Sequence, residues 1–184
     1  MQIKTIKVGG LQTNCYLVAE NQEALIIDPG AESEKILKAL GDQKVKAIVL
    51  THGHYDHVTE AFTLKEKINC PVMVHEKDES LMTYSTQTRA DKLLKDGDQL
   101  LGLKVFHTPG HSGGSICLYS EKEKILFSGD TLFAGDYGRC DLPGSSQREM
   151  ENSLKRLLAL PPETKVYPGH GQPTTIGDEK NLIE

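Results

Sequence analysis

The sequence predicts an α+β protein in which two mixed β-sheets pack on each other and helices cover them on the outside. The chain has 184 residues, of which 38% are hydrophobic and 26% charged, a composition that suits a globular domain with a sizeable core. Short β-like runs occur in two blocks, with amphipathic helical segments among them. This order is typical of layered sheets flanked by helices, and we expect one domain over residues 1–184.

The first block begins with apolar runs and ends near residue 75. Its predicted strands are Gln2–Val8, Asn14–Ala19, Ala24–Asp28, Lys46–Leu50 and Val72–His75. Its predicted helices are Glu32–Leu40 and Thr59–Ile68. Apolar residues three and four apart favour a helix in each of those two segments, whereas the strands are short runs bounded by turn residues. The residue Thr59 is expected to cap the second helix.

The second block contains four predicted strands and one predicted helix. The strands are Leu100–His107, Ser115–Tyr119, Lys124–Ser128 and Lys165–Tyr167. The helix begins at a capping box formed by Ser146 and Glu149, and its apolar residues follow at helical spacing. Polar residues that can ligate a metal follow strands in both blocks. We therefore expect these side chains to meet at one rim of the sheets.

Charge and cysteine content exclude several classes of protein. The 21 basic and 26 acidic residues give a net charge of −5, and without a basic run the chain is a poor partner for nucleic acid. No apolar run approaches the roughly 18 residues of a membrane helix, and the first residues do not resemble a secretory signal. The four cysteines are scattered singly, which favours reduced thiols in a cytoplasmic protein. The sequence leaves the oligomeric state open.

A compact group of metal-binding side chains lies in the segment His52-Gly53-His54-Tyr55-Asp56-His57. Imidazole and carboxylate groups suit a divalent ion such as Zn²⁺, and alternate residues of an extended loop point the same way. Four donors are more than one tetrahedral ion takes from one short loop, which favours two neighbouring ions over one. The more distant residues His111, Asp130 and His170 bring the set to seven. Seven donors divide into three per ion and one shared, which leaves a position for water.

The chain resembles the metallo-β-lactamase superfamily in three motifs. They are Thr51-His52-Gly53-His54-Tyr55-Asp56-His57, Thr108-Pro109-Gly110-His111-Ser112 and Ser128-Gly129-Asp130-Thr131-Leu132-Phe133. The resemblance runs from about Asn14 to His170 and is strongest to the short, single-domain, glyoxalase II-like (hydroxyacylglutathione hydrolase-like) branch. It implies an αββα sandwich with the metal site at one edge.

The resemblance also implies a role for each ligand. One ion is held by His52, His54 and His111, the other is held by Asp56, His57 and His170, and Asp130 bridges both. The family's outer aspartate, which braces the ligand loop, corresponds to Asp28. Zn²⁺ is the expected metal, with iron and manganese as alternatives.

The function that follows is the hydrolysis of a thioester, either an S-acyl-glutathione or a related small thioester. Two divalent ions lower the pKa of bound water towards neutrality, which predicts a metal-bridging hydroxide oriented by Asp56 and Asp130. A thiol leaving group with a pKa near 8.5 departs without a strong acid, and the motifs contain no dedicated acid. A GxSxG nucleophile signature is also absent from the sequence.

Several positions depart from the glutathione-specific relatives. The sequence ends fourteen residues after His170, so we expect no C-terminal helical domain for glutathione. Arg139 is a candidate contact for a substrate carboxylate, and an ion pair with Asp136 or Asp141 is the alternative. Tyr137 and Phe133 are candidates for the pocket wall, with core packing favoured for Phe133.

Two other functions stay open. The segment Val58-Thr59-Glu60-Ala61 resembles the persulfide dioxygenase branch, in which one iron is held at the positions of His52, His111 and Asp130. That alternative makes the protein an oxidoreductase. The third possibility is a non-catalytic module that retains its metal site.

Overall fold

The computed structural model describes residues 1–183. Within them the chain forms two compact units, residues 1–94 and residues 95 onward. Each unit contains a six-stranded sheet with both parallel and antiparallel neighbours, accompanied by helices. Two mixed sheets with helices confirm the predicted α+β class. The expectation of a single domain stays a prediction.

The first unit is built on a mixed sheet. Its strands are β1 (Gln2–Val8), β2 (Thr13–Glu20), β3 (Glu23–Ile27), β4 (Lys44–Val49), β5 (Val72–His75) and β6 (Lys92–Leu94). Its helices are α1 (Ser33–Leu40), α2 (Tyr55–Val58), α3 (Ala61–Ile68) and α4 (Glu79–Thr86). The strands lie in numerical order across the sheet. The pairs from β1 to β3 are antiparallel, whereas β3, β4, β5 and β6 run parallel to one another.

The predicted strands of this unit are all present, two of them with the predicted bounds. The short helix α2, the helix α4 and the edge strand β6 were not predicted. Helix α4 buries Met82 but has few other apolar residues in phase with it, so its periodic signal is weak. The expected capping of α3 by Thr59 is wrong. Thr59 ends α2 and donates its hydroxyl to the carbonyl of Tyr55.

The second unit carries a second mixed sheet. Its strands are β7 (Gln99–Leu100), β8 (Leu103–His107), β9 (Ile116–Ser120), β10 (Ile125–Gly129), β11 (Leu132–Phe133), β12 (Asp136–Tyr137), β13 (Lys165–Pro168) and β14 (Thr174–Thr175). Its helix is α5 (Gln147–Leu158). The sheet order is β14-β13-β10-β9-β8-β7, and β11 and β12 form a separate hairpin. The predicted strand Leu100–His107 is divided into β7 and β8, because a turn at Leu101 and Gly102 interrupts it.

Helix α5 begins as the capping box predicts. The hydroxyl of Ser146 accepts a hydrogen bond from the backbone N–H of Glu149 at 3.3 Å. The apolar side of the helix, including Met150, Leu154 and Leu157, is fully buried in the core of the second unit. Burial of three such side chains stabilises the unit by several kcal/mol, at about 1.5–3 kcal/mol each.

The four cysteines are free thiols, as predicted. Cys15, Cys70 and Cys117 are buried, and Cys140 is half-buried. Burial raises the pKa of Cys70 to about 11 and that of Cys117 to about 11. Removal from water disfavours the charged thiolate, so these thiols are unreactive packing groups rather than nucleophiles.

No helix among the described residues is long and apolar enough to cross a membrane.

Candidate metal centre

One edge of the first sheet collects polar side chains because its parallel strands end there. Asp28 directly follows β3, His52 follows β4, and Asp78 lies three residues beyond β5. The antiparallel strand β2 begins at the same edge, with Thr13 as its first residue. The order and direction of the strands therefore bring together residues that are up to about 65 positions apart in the chain, from Thr13 to Asp78.

Asp28 is the centre of this polar group. Its Oδ1 accepts the backbone N–H of Thr51 at 2.7 Å, and its Oδ2 accepts the hydroxyl of Thr51 at 2.6 Å. The same Oδ2 lies 2.9 Å from Nδ1 of His57. Asp28 is buried, and its φ of 52° is a left-handed conformation that Asp and Asn adopt more readily than most residues. The carboxylate therefore fixes both the loop after β4 and one imidazole.

These contacts also determine which nitrogens of two imidazoles carry the proton. A carboxylate only accepts, so Nδ1 of His57 donates to Asp28. The hydroxyl of Thr51 gives its proton to Asp28 and accepts from Nδ1 of His52 at 3.1 Å. Each neutral ring then has its lone pair on Nε2, the form that ligates a metal.

Asp56 and His57 are spaced as two ligands of one ion would be. Nε2 of His57 lies 3.4 Å from Oδ2 of Asp56. Two donors at about 2.1 Å from a tetrahedral ion are about 3.4 Å apart. The hydroxyl of Thr13 donates to the same Oδ2 at 2.9 Å, which fixes the orientation of the Asp56 carboxylate.

The motif that contains these ligands is extended in its first half and helical in its second. His54 has extended backbone angles and precedes α2, whereas Asp56 and His57 lie within α2. The expectation of an extended loop throughout is therefore wrong after His54. The rings of His54 and His57 have centroids 4.8 and 4.2 Å from that of His52, so the turn into α2 gathers all three imidazoles.

A glycine allows the two segments of this edge to approach each other. A Cβ added to Gly30 would lie 1.4 Å from the carbonyl oxygen of Asp56. No side chain fits there, so the turn after Asp28 can pack directly on α2 only with glycine at this position.

Sequence reasoning missed two residues of this group. The carboxylate of the buried Asp78 accepts the backbone N–H of Gly53 at 2.8 Å, within the ligand motif. Asp78 lies in a charged segment that has the composition of an exposed turn, and Thr13 begins an ordinary strand. Neither position carries a local signal, because their partners are distant in the chain.

The second unit gathers its three candidate ligands in a similar way. β8, β10 and β13 run in the same direction, since β9 is antiparallel to both β8 and β10 and β13 is parallel to β10. His111, Asp130 and His170 follow these three strands at one edge of the sheet. The prediction that each of these residues follows a strand is confirmed.

The Asp130 carboxylate lies between two imidazoles. Its Oδ2 is 3.6 Å from Nε2 of His111 and 3.5 Å from Nε2 of His170. Both separations are close to the distance of about 3.4 Å expected between ligands of a shared ion. Nδ1 of His111 donates to the backbone carbonyl of Arg139 at 3.0 Å, which leaves the lone pair of His111 on Nε2.

The loop that carries His111 is held by Ser146, the residue that caps α5, and by the middle of the helix. The hydroxyl of Ser153 donates to the carbonyl of Pro109 at 2.7 Å. The backbone N–H of Ser146 donates to the carbonyl of Gly110 at 2.8 Å. These bonds fix two consecutive carbonyls immediately before His111.

The side chain of Arg139 forms the ion pair that we considered as the alternative to a substrate contact. Its Nε and Nη2 donate to the two carboxylate oxygens of Asp141 at 2.6 and 2.7 Å. This exposed pair raises the pKa of Arg139 and lowers that of Asp141 through their mutual hydrogen bonds. The backbone carbonyl of Arg139 contacts His111, a role that sequence reasoning missed.

The two aromatic candidates belong to the β11–β12 hairpin that follows Asp130. The ring of Phe133 lies with its centroid 6.3 Å from that of His170, at an angle of 71°. The hydroxyl of Tyr137 accepts from the side-chain amide of Gln147 at 3.2 Å, and Tyr137 packs against the core of the second unit. Phe133 is half-buried and is not among the residues that pack this core.

Each unit thus contains side chains whose chemistry and spacing suit the ligands of a divalent ion. The site residues are imidazoles and carboxylates, and no thiol is among them. The Nδ1 atoms of His52, His57 and His111 each have a hydrogen-bond partner. The lone pair of each ring therefore lies on Nε2, where it can bind a metal ion. Imidazole and carboxylate ligands suit a divalent ion such as zinc, iron or manganese, and the set is not that of a thiolate site.

The chain belongs to the metallo-β-lactamase superfamily. The family model described as the Metallo-beta-lactamase superfamily matches residues 8–170. The fold and the His/Asp set together imply that the protein binds divalent metal ions.

Curated relatives match the chain over almost its whole length. An uncharacterized protein of Aquifex aeolicus is 44% identical, over 98% of this chain and 94% of its own length. The probable metallo-hydrolase YqgX of Bacillus subtilis is 34% identical, over 98% and 95%. The hydroxyacylglutathione hydrolase GloC of Haemophilus influenzae is 32% identical, over 98% and 95%.

Solved structures agree with the fold. The BLEG-1 B3 metallo-β-lactamase has a TM-score of 0.92 at 36% identity, covering 98% of this chain and 97% of that one. TTHA1623 in a di-iron-bound form has a TM-score of 0.91 at 39% identity, covering 97% and 98%. ETHE1 from Myxococcus xanthus has a TM-score of 0.87 at 28% identity, covering 99% and 83%. The relatives make the protein a member of a metallo-hydrolase superfamily.

Proposed function

We propose that the protein is a dinuclear metallohydrolase that cleaves thioesters. The observation that carries the proposal is the spacing of His and Asp side chains, 3.4 Å in the first unit and 3.5–3.6 Å in the second, which is close to the separation of two ligands of one ion. Membership of the superfamily and similarity to a hydroxyacylglutathione hydrolase support the choice of reaction.

In this proposal seven residues hold two ions. His52, His54 and His111 would hold the first, Asp56, His57 and His170 would hold the second, and Asp130 would contribute to both. Zn²⁺ is the metal we expect, and the di-iron form of TTHA1623 makes iron the first alternative to test. When bound, the ions supply an activated water molecule and a positive field for the substrate carbonyl.

The residues around the ligands keep the donors in place. Asp28 and the carbonyl of Arg139 hold imidazoles in the tautomer that ligates through Nε2. Thr13 fixes the carboxylate of Asp56. Asp56 and Asp130 would orient the attacking water by accepting hydrogen bonds from it. Ligands that are held in place before the substrate binds need no rearrangement during the reaction, which lowers its barrier.

The chemistry favours a thioester over an amide. Water adds to the acyl carbon, the C–S bond breaks, and the products are a carboxylate, a thiolate and protons released to solvent. A thiol with a pKa near 8.5 leaves as the thiolate, whereas an amine must be protonated as it departs.

The finer assignments remain part of the proposal. Arg139, Tyr137 and Phe133 are candidate substrate contacts, and for Arg139 the exposed pair with Asp141 would open to receive a carboxylate. Such surface pairs contribute little stability, so the exchange costs little. We also propose a cytoplasmic protein of one domain that acts on a small molecule, without a nucleic-acid or membrane partner.

Metal content and thioester cleavage test the proposal together. Protein purified without added metal is analysed for zinc, iron and manganese per chain, and then assayed for hydrolysis of S-lactoylglutathione. Chelation should abolish turnover, and one of the three metals should restore it. Asp130→Asn should bind less metal and should lower turnover by more than about 100-fold. This loss exceeds the one expected when a residue that only hydrogen-bonds to a ligand is changed. The matched control Asp136→Asn, an exposed aspartate of the nearby hairpin, should do neither.

The outcomes separate the three functions. Two metals per chain with thioester cleavage support the hydrolase. One tightly held iron, with oxygen uptake in the presence of glutathione persulfide, contradicts it and supports a persulfide dioxygenase. Stoichiometric metal with neither activity supports a binding module. Thioester cleavage that survives complete removal of metal contradicts the proposed mechanism.

A further inference from the structure

A cavity of about 370 Å³ lies in the first unit beside the proposed ligand Asp56. It opens between the turn that joins β1 to β2 and the beginning of α2, and Thr13 and Asp56 form one side of it. Its volume is within the range of small-molecule sites. A groove of about 430 Å³ between β1–β3 and α1 contains none of the proposed site residues.

The wall of this cavity is mostly apolar. Val8, Leu11, Ala31 and Tyr55 contribute side chains, and three glycines contribute bare backbone. Among the described residues that line the cavity, Asp56 is the only charged one, and none is a lysine, arginine or histidine. A cavity of this composition favours an uncharged apolar group and has no cationic side chain to pair with a carboxylate.

Two of its side chains are exposed although they are large and apolar. Leu11 is 55% exposed and Tyr55 is 60% exposed. Exposed apolar side chains that share one concave surface commonly mark a binding site. The exposure of these two side chains next to Asp56 is therefore better explained by a ligand-binding surface than by a role in the folded core.

The turn that carries Leu11 is held in a defined shape. In this turn the carbonyl of Gly9 accepts two hydrogen bonds from Gln12. One comes from the backbone N–H at 3.2 Å and the other from the side-chain amide at 2.9 Å. The N–H of Gly9 donates to Glu32 at 3.2 Å. The other wall is equally fixed, since Tyr55 begins α2 and its carbonyl accepts from Thr59. A preformed wall binds a ligand without first having to be ordered.

We infer that this cavity binds an apolar, uncharged chain of the substrate and that Leu11 and Tyr55 determine its preferred length. The inference rests on the proposed thioester hydrolysis and narrows its substrate class. The chain is either the acyl group or the thiol side of the thioester, because both are attached to the reacting carbonyl. Two series of substrates distinguish these sources.

The experiment measures kcat/KM of the metal-loaded protein on two neutral series. In the first, the acyl group of an N-acetylcysteamine thioester is lengthened from acetyl to hexanoyl. In the second, the acyl group stays acetyl and the thiol is lengthened from ethanethiol to hexanethiol. We expect kcat/KM to rise about fourfold per CH₂ in one series, from the free energy of burying a methylene, and to stay flat in the other.

Matched variants assign the effect to the cavity. Leu11→Ala and Tyr55→Ala should flatten the rise with chain length. Leu93→Ala and Tyr84→Ala remove exposed side chains of the same residue types, in the same unit, that do not line the cavity, and they should leave the rise unchanged. A flat response in both series, with thioesters still cleaved, overturns the inference and leaves the proposed function standing.

A binding measurement decides the case in which no thioester is cleaved, which would refute the proposed function instead. The probe is S-hexyl-N-acetylcysteamine, a thioether that cannot be hydrolysed, titrated calorimetrically into metal-free protein. Binding that Leu11→Ala weakens and Leu93→Ala does not supports the apolar site independently of activity. Equal binding by both variants, or none by the wild type, overturns it.

Discussion

Replacement of Asp28 by asparagine should weaken metal binding even though Asp28 is not a proposed ligand. Asparagine has the same shape and also tolerates the left-handed backbone found at this position. The change therefore tests the carboxylate alone. Its two oxygens accept three hydrogen bonds, two from Thr51 and one from Nδ1 of His57.

The size of the effect follows from those three bonds. An amide retains only one oxygen. Placed at the Oδ2 position it keeps the contacts to the Thr51 hydroxyl and to His57, but its NH₂ group then faces the N–H of Thr51. One hydrogen bond to a charged acceptor is lost and two become neutral, which costs about 2–4 kcal/mol of stability at a buried site. A weaker partner for His57 should cost about 10–100-fold in metal affinity.

Two measurements separate the local effect from a general loss of stability. Urea denaturation of metal-free protein gives the free energy of unfolding, and competition with a chromophoric chelator gives metal affinity. The control is Asp91→Asn, because Asp91 also accepts a backbone N–H, that of Val72 at 2.8 Å, at the opposite end of β5. The control should lose some stability and no metal affinity. Unchanged affinity in Asp28→Asn, or an equal loss in both variants, would refute the reasoning.

Two further substitutions test the packing around the ligands, and a labelling experiment tests the burial of the cysteines. Gly30→Ala should destabilise the protein by about 3 kcal/mol or more in urea denaturation, because a Cβ would overlap the carbonyl of Asp56; near-normal stability would contradict the close approach. Ser153→Ala should cost about 1–2 kcal/mol, since it removes the bond to the carbonyl of Pro109; full stability would mean that α5 does not restrain the ligand loop. In native protein at pH 8 a thiol reagent should modify Cys140 alone, and slowly, because burial raises its pKa; rapid labelling of the three buried thiols before unfolding would contradict their burial.

The sequence alone identified the metal-binding motif because that signal is local. His52, His54, Asp56 and His57 are within six residues, so their chemistry is visible without a fold. The same holds for the strands, whose apolar runs are contiguous, and for the start of α5, where Ser146 and Glu149 are three residues apart. His111, Asp130 and His170 joined this set because each follows a predicted strand, and the family resemblance assigned each ligand to an ion.

Tertiary structure decided how those side chains are held. Asp78 binds the backbone of Gly53, Thr13 binds Asp56, and the carbonyl of Arg139 binds His111. Each contact joins segments that are 25 or more residues apart, and each depends on strand direction or on a backbone carbonyl, which no residue type reveals. The conversion of the motif from extended chain to helix after His54 was hidden for a related reason: α2 is a single turn and has no periodicity of its own. A short sequence pattern can thus specify which atoms bind a metal, but the arrangement of strands and loops in the tertiary structure determines what orients them.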